Sequence, residues 1–413
     1  MSTLENSLPL HELPHRSAPA LDLLTGVKVL DLTTSIAGPY AGQLLADMGA
    51  TVVKIEKPGA GDDARAWGPP FLHGESLWFM SVNRGKQSVS LDVASPQGSE
   101  IIRKLVGQAD VILLNLVGRA QHKLGLDAAS LRPLNPRLIH VSVSGFGLQG
   151  SRADLPCYDL IAEGYSGVMD LTGEAQNGPQ KVGTPAADLL AGNDAAMAVL
   201  AALLRRQRDG KGCDIDISMV ESMSRFMAPR LMPYLGSGEL SRRSGGRDSV
   251  IAIYQVFDTA DEPMTLGLGN DAIWKRFWEA VGQPEAAREE AYSTNAKRRA
   301  SRETLVARIA EVLRTRPRAH WLEVFGSARV PAGPIHRLDE LARDAALHES
   351  GFIYRTDSPD GPVPQVGLGI RFDGRTEGTA PSPKLGAHTD QVLSSWLACD
   401  TAQIDQLRAE RVI

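Results

Sequence analysis

Val27-Lys28-Val29-Leu30-Asp31-Leu32, then Ala37-Gly38-Pro39-Tyr40-Ala41-Gly42-Gln43-Leu44-Leu45-Ala46-Asp47-Met48, then Val52-Val53-Lys54-Ile55-Glu56 decide the fold. The outer runs are short, apolar and rich in valine and isoleucine, as strands are. The middle run spaces its apolar residues at helical intervals. A strand, a crossover helix and a second strand make a βαβ unit, whose strands lie parallel in one sheet. Residues 111–116 and 138–144 extend that sheet, with residues 96–107 and 120–131 as helical connections. The expected class is α/β: a Rossmann-like doubly wound parallel sheet in a large domain, with a smaller α+β domain beside it.

Downstream, a long Ala/Leu/Met-rich helix is predicted over residues 185–207, with Thr184 as its N-cap and Pro185 at its first position. A strand at 214–218 and a helix at 220–235 follow. Composition then shifts, because residues 236–247 are rich in Gly, Ser and Arg. We therefore expect a large domain beginning with residues 1–225, a linker at 226–247 and a small domain at 248–340. The small domain has strands at 251–257 and 264–268 and helices at 274–281 and 302–313. Residues 341–413 return to the large domain, with a last helix over 384–396.

Bulk properties exclude several classes. A net charge of −5 supplies no field to gather nucleic acid. No stretch reads as the ~18 apolar residues of a membrane span, and the start, with Glu5, His11, Glu12 and His15, does not read as a secretory signal. A cytoplasmic protein is expected. Cys157, Cys213 and Cys399 are far apart, and the histidines show no paired ligand spacing, so neither a disulfide framework nor a metal site is expected.

Gly145-Phe146-Gly147-Leu148-Gln149-Gly150 is a literal G-x-G-x-x-G after a strand. Dinucleotide binding would need a helix to open there, and the polar run ending in Pro156 argues for a plain loop. No nucleophile elbow and no Walker loop is present. Asp188 stands apart, in Gly183-Thr184-Pro185-Ala186-Ala187-Asp188, one turn into the predicted helix among small neighbours. There the helix dipole should favour its ionised form.

Taken together, the segments resemble the CaiB/BaiF family, the class III CoA-transferases, from about residue 24 to residue 396. The resemblance rests on Val29-Leu30-Asp31-Leu32, Ala37-Gly38-Pro39-Tyr40-Ala41, Val53-Lys54-Ile55-Glu56-Lys57-Pro58 and Gly61-Asp62-Asp63-Ala64-Arg65-Ala66-Trp67-Gly68-Pro69-Pro70. It continues in Asn83-Arg84-Gly85-Lys86, Ser142-Val143-Ser144-Gly145-Phe146-Gly147 and Val330-Pro331-Ala332-Gly333-Pro334-Ile335.

The resemblance implies that Asp188 is a covalent nucleophile and that Gly267, Gly269 and Asn270 belong to a glycine loop shielding its anhydride from water. It implies coenzyme A contacts at Ile36, Ala37, Lys57, Arg84, Lys86, Leu91, Asn115 and Lys123, and acyl contacts at Trp67, Trp78, Phe146 and Tyr158. Acyl-CoA and small carboxylic acids would be substrates, with no tightly bound cofactor, and the chain would form an interlocked homodimer. The implied donor is of the succinyl-CoA kind and the acceptor is a dicarboxylic acid, whose far carboxylate could meet Arg65, Arg225, Arg230 or Arg247. A heteromeric transferase subunit is a further alternative.

Two departures stand out. Relatives carry Asn-Phe-Arg-Pro-Gly where this chain has Asn115-Leu116-Val117-Gly118-Arg119. A racemase branch pairs its aspartate with a histidine where this chain has Tyr158, and tyrosine does not titrate near neutral pH as two-base racemisation requires.

Overall fold

Strand β1 (Lys28–Leu32) runs through the middle of a six-stranded sheet with both of its neighbours parallel to it. A computed structural model describes residues 9–17, 19–248, 250–376, 378 and 380–413. In chain order the sheet uses β2 (Thr51–Glu56), β3 (Gln87–Ser90), β4 (Val111–Leu114), β5 (Ile139–Ser144) and β6 (Cys213–Ser218). They stand side by side as β3-β2-β1-β4-β5-β6, all parallel. This is the doubly wound order, with its switch point between β1 and β4, where such sheets place their ligands.

Register follows burial. Leu30 lies between Val53 and Ile112, and all three are fully buried, as expected of strands covered on both faces. On one side the core continues into α2 (Pro96–Val106) and a C-terminal helix, α10 (Thr389–Leu397), through Ile102, Leu105, Val392 and Trp396. Ile102, Leu105 and Val392, the aliphatic members, each contribute roughly 1.5–3 kcal/mol by their burial. Ser95 caps α2, with Pro96 at its first position.

α1 (Ala37–Asp47) and α5 (Ala186–Asp209) pack against each other elsewhere in this unit. A side chain at Gly192 would meet the Ala37 carbonyl at 2.7 Å and the Tyr40 ring at 3.0 Å, so the helices touch backbone to backbone there. α5 is long and apolar enough to match a membrane span, contrary to the expectation that no segment is. It serves instead as a core helix, burying Ala187, Ala191, Ala195 and Val199.

The chain forms two compact units. The first takes in the described residues up to Val168, with Val182–Ala228 and Ala342–Ile413; the second is Met169–Lys181 with Pro229–Leu341. The second holds a three-stranded antiparallel sheet, β9-β8-β7, of β7 (Tyr254–Phe257), β8 (Met264–Gly267) and β9 (Ala332–Pro334). Helices α7 (Asp271–Ala280), α8 (Arg302–Leu313) and α9 (Arg318–Ser327) bring Trp274, Phe277, Trp278, Leu313 and Phe325 against its buried face.

Several expectations change. The linker stretch contains a helix, α6 (Ala228–Ser237). Strand β3 was not foreseen, since Gln87-Ser88-Val89-Ser90 is short and polar; as an edge strand it pairs with β2 alone. The hairpin Ile353–Ser358 with Gly361–Val366 and the helix Thr401–Ala409 were not foreseen either.

Candidate active site

Asp188 sits in the first turn of α5, on the same helical face as Gly192, and so looks toward the start of α1. The helix begins differently from the expectation. Its N-cap is Pro185, which offers no side-chain acceptor, and Thr184 does not cap it. Instead Asp159, at the head of α4 (Asp159–Ser166), reaches across. Its Oδ1 accepts the backbone N–H of Ala187 at 2.8 Å and that of Asp188 at 3.3 Å. A capping carboxylate borrowed from another element thus orients the turn that carries Asp188.

The ionisation state also differs from the expectation. Burial, and then the negative charge of Asp159, push the Asp188 carboxyl up to about 7. These outweigh the helix dipole, which would have kept it low. Close by, burial and then Asp188 raise the Cys157 thiol to about 11, so it is a neutral neighbour.

At the carboxyl ends of β1, β2, β3 and β4 lies a cavity of about 350 Å³, lined in part by Leu32, Thr34, Ile55, Lys57, Leu91 and Leu124. One of its lining residues, Asp62, belongs to a network of buried charge. The Lys86 ammonium lies 2.8 Å from Asp31 and the Lys54 ammonium 2.8 Å from Asp62, with all four side chains out of solvent. Burial works against the Asp31 carboxylate, but Lys86, Lys54 and the Thr33 hydroxyl outweigh it and hold the group at about 2.

This network shapes the turn before α1. Lys54 donates to the Thr33 carbonyl at 2.7 Å, and Asp62 accepts the Ser35 N–H at 2.9 Å. Ser35 is thereby held at a left-handed φ of 69°, unusual for serine. Asn115 closes the turn from β4, donating to the Thr34 carbonyl at 2.8 Å and accepting the Thr34 N–H at 3.1 Å. Ile36 and Ala37 follow directly, both buried.

The residues expected to hold coenzyme A divide accordingly. Lys57 lines the cavity and is exposed, Leu91 forms a buried wall, and Lys123 is exposed on α3 (Gly118–Leu124). Arg84 and Lys86 are a correction. Both are about 3% exposed, Arg84 bonded to Asp47 at 2.6 Å and Lys86 to Asp31, so their charges serve internal carboxylates and are not presented to phosphates.

Among the acyl-pocket candidates, Trp67 and Trp78 meet edge to face at 6.2 Å and Trp78 is half exposed. Phe146 packs on Tyr165 at 5.0 Å, and Tyr158 is 71% exposed. Residues 145–150 open no helix. Leu148 N–H instead donates to Asp216, and a side chain at Gly145 would strike Cys157 at 2.1 Å.

In the second unit, Gly267 ends β8. Gly269 has open space where a side chain would stand, and Asn270 caps α7 by accepting the Ile273 N–H. The sequence analysis gave Asp159 no part in the site. A carboxylate at one helix start acting on another, 29 residues away, leaves no local signal.

CoA-transferase family III matches residues 24–389 of the chain. The succinate–glutarate CoA-transferase of Agrobacterium fabrum is 38% identical over 399 residues, 93% of this chain and 97% of that protein. The succinyl-CoA:glutarate CoA-transferase of Mus musculus is 33% identical over 97% of this chain and 92% of its own length. A crystal structure of a CaiB/BaiF family protein from Brucella suis aligns with a TM-score of 0.80 at 37% identity, covering 91% of this chain and 100% of that one.

Proposed function

The chain belongs to CoA-transferase family III, and from that premise we propose that it moves coenzyme A from succinyl-CoA or a similar donor to a dicarboxylic acid, with Asp188 as the covalent nucleophile. The supporting observation is a carboxylate at the head of α5, its backbone N–H bonded to Asp159 and its own acidity weakened by burial.

The ionised Asp188 attacks the thioester carbonyl of the donor, and the coenzyme A thiolate leaves an acyl–aspartyl anhydride. The thiolate then attacks the aspartyl carbonyl, releasing the donor acid and leaving an aspartyl-CoA thioester. The acceptor carboxylate attacks that thioester, and the thiolate freed in this step attacks the acceptor's own carbonyl. The products are the new acyl-CoA and the original carboxylate. Each carboxylate nucleophile regenerates a carboxylate, so no general base is needed. Weakening the acidity of Asp188 strengthens it as a nucleophile and leaves it ionised above neutral pH. Lys57, exposed at the crevice, and Lys123, exposed on α3 next to the crevice residue Leu124, are the cations we assign to the coenzyme's phosphates.

We also propose a homodimer. The first unit leaves Tyr158, Leu160, Ile161, Leu204 and Phe226 exposed, apolar side chains that a second copy could cover. Light scattering should give twice the chain mass.

The function is tested by incubating the protein with succinyl-CoA and glutarate and following glutaryl-CoA by chromatography, with hydroxylamine trapping and peptide mapping. Acyl exchange with a hydroxylamine-sensitive adduct on Asp188 is the expected result. Exchange of the α-proton in deuterated water, with no adduct, would replace the proposal with racemase chemistry.

A pH dependence follows from Asp188. The carboxyl must be ionised to attack, so kcat/KM should rise through an apparent pKa near 7. Asp159→Asn keeps an oxygen for the two amides but removes the charge, so the acid limb should move to lower pH. Because burial is the larger cause, it should stay above the ordinary carboxylate range. An unmoved limb would show that the Asp159 charge does not act on Asp188.

A further inference from the structure

Arginines of the second unit gather around one cavity of about 550 Å³, lined by Arg230, Arg242, Arg243, Arg247, Arg299 and Arg302. Its acids, among the described residues, are Asp248 and Glu239, and every lining residue belongs to the second unit. Six guanidiniums thus face two carboxylates, in a chain whose net charge is −5.

The protein's own groups answer only part of that charge. Arg230 pairs with Asp248 at 2.9 Å and Arg243 with Asp170 at 3.2 Å. The other oxygen of Asp248 accepts the N–H groups of Val250 and Ile251, so this carboxylate is fully engaged. Arg302 reaches neutral acceptors, the Asp248 carbonyl at 2.6 Å and the Gln255 side chain at 3.4 Å. Arg247 donates to the Ser244 carbonyl. Neither it nor Arg242 and Arg299, all three exposed, has a carboxylate partner among the described residues. The Nε groups of Arg243 and Arg302 are buried and meet no acceptor there, an uncommon state for a buried donor.

The backbone adds to the imbalance. Arg302 opens α8, and Ser301 before it gives no side-chain cap. A helix N-terminus carries partial positive charge, so a cation there is unfavourable and an anion favourable. Burial and the charges of Arg247 and Arg299 lower the Arg302 pKa against the pull of Asp248, as crowded cations do.

We infer that this cavity binds a compact anion bearing two or more phosphate groups, held by Arg242, Arg247, Arg299 and Arg302. A single carboxylate would leave most of the positive charge unmet, whereas linked phosphates present several oxygens to several guanidinium forks at once. No aromatic ring is among the described lining residues, so recognition rests on the phosphates and not on a stacked base. Such a site asks nothing of Asp188 and goes beyond the transferase reading.

Inorganic pyrophosphate is the probe, titrated calorimetrically into the full chain at constant ionic strength. It should bind the wild type, and Arg242→Ser/Arg299→Ser should weaken that binding roughly 30-fold or more. Arg299→Lys, which keeps the charge and removes the fork, should lose a smaller part. Arg242 and Arg299 are exposed, so their truncation opens no void in the core. With fewer like charges crowded together, the double variant should melt no lower than the wild type without ligand. It should also lose the rise in melting temperature that pyrophosphate gives the wild type.

Pyrophosphate binding that is absent, or equal in wild type and double variant, overturns the site. So does binding lost in Lys57→Ala and kept in the double variant, which would place pyrophosphate in the crevice at the sheet's carboxyl end. Tricarballylate, with three carboxylates, bound as tightly as pyrophosphate would overturn the phosphate class in favour of a polycarboxylate. A short RNA bound far more tightly than pyrophosphate, and lost in the double variant, would overturn it in favour of nucleic acid.

Discussion

Asp188→Ala should transfer no coenzyme A, with kcat lower by about four orders of magnitude or more and no hydroxylamine-sensitive adduct. The loss should be chemical and not structural. The folded-state pKa of Asp188, about 7, lies above its ordinary 3.8, so the folded protein holds this proton more tightly than the unfolded chain does. The stability tied to that proton is fully present below pH 3.8 and is lost as pH rises through 7. At pH 8 the ionised carboxylate therefore destabilises the fold by on the order of 2–4 kcal/mol.

Asp188→Asn removes that ionisation. It should be as inactive as the alanine variant yet melt at a higher temperature than the wild type at pH 8, with the difference shrinking toward pH 4. Denaturation scans at the two pH values measure it. Transfer retained in either variant would remove Asp188 from the nucleophile's role. An inactive Asp188→Asn that melted lower at pH 8 would assign the lost activity to misfolding.

The second large effect is expected at Lys54. Its ammonium is fully buried between Asp62 and the Thr33 carbonyl, and it adds to the field that holds Asp31 ionised. Lys54→Met keeps the bulk and removes the charge, stranding the Asp62 carboxylate in the core. Breaking one side of a buried pair costs about 3–5 kcal/mol, a large part of a typical domain's net stability. Lys54→Met/Asp62→Asn should regain much of that loss, with a coupling energy of about 1–3 kcal/mol in a double-mutant cycle. Urea unfolding of the single and double variants measures it.

A loss below about 1 kcal/mol in Lys54→Met would mean that the network contributes little to stability. Asp31, held near 2, has the opposite pH sign to Asp188: its contribution is present above pH 3.8 and is lost as pH falls toward 2. Releasing Thr33 and Ser35 should also loosen the turn before Ile36 and Ala37. A raised KM for the acyl-CoA in Lys54→Met would report that.

What the chain determines by itself is whatever repeats with a short period. Strands β1 and β2, helix α1 and the long helix α5 were legible because each carries its pattern of apolar residues within a dozen positions. Helix α8 was read to its exact ends, Arg302–Leu313. Asp188 was legible as a helix-start carboxylate, though its meaning came from ordered motifs along nearly the whole chain.

Tertiary structure decided everything that depends on partners distant in sequence. The cap of α5 comes from Asp159 and not from Thr184, because the Asp159 carboxylate is brought within 2.8 Å of the Ala187 amide. Burial and that same aspartate reverse the expected ionisation of Asp188. Arg84 and Lys86 were expected to meet coenzyme A, yet packing places them beside Asp47 and Asp31, 37 and 55 residues away. Of four arginines that could meet a substrate carboxylate, folding pairs Arg65 with Glu56, Arg225 with Asp194 and Arg230 with Asp248. A periodic pattern records which face of an element is buried; it holds no record of which charge is buried against which, because that pairing is set by the packing of elements and by the dielectric their contact creates.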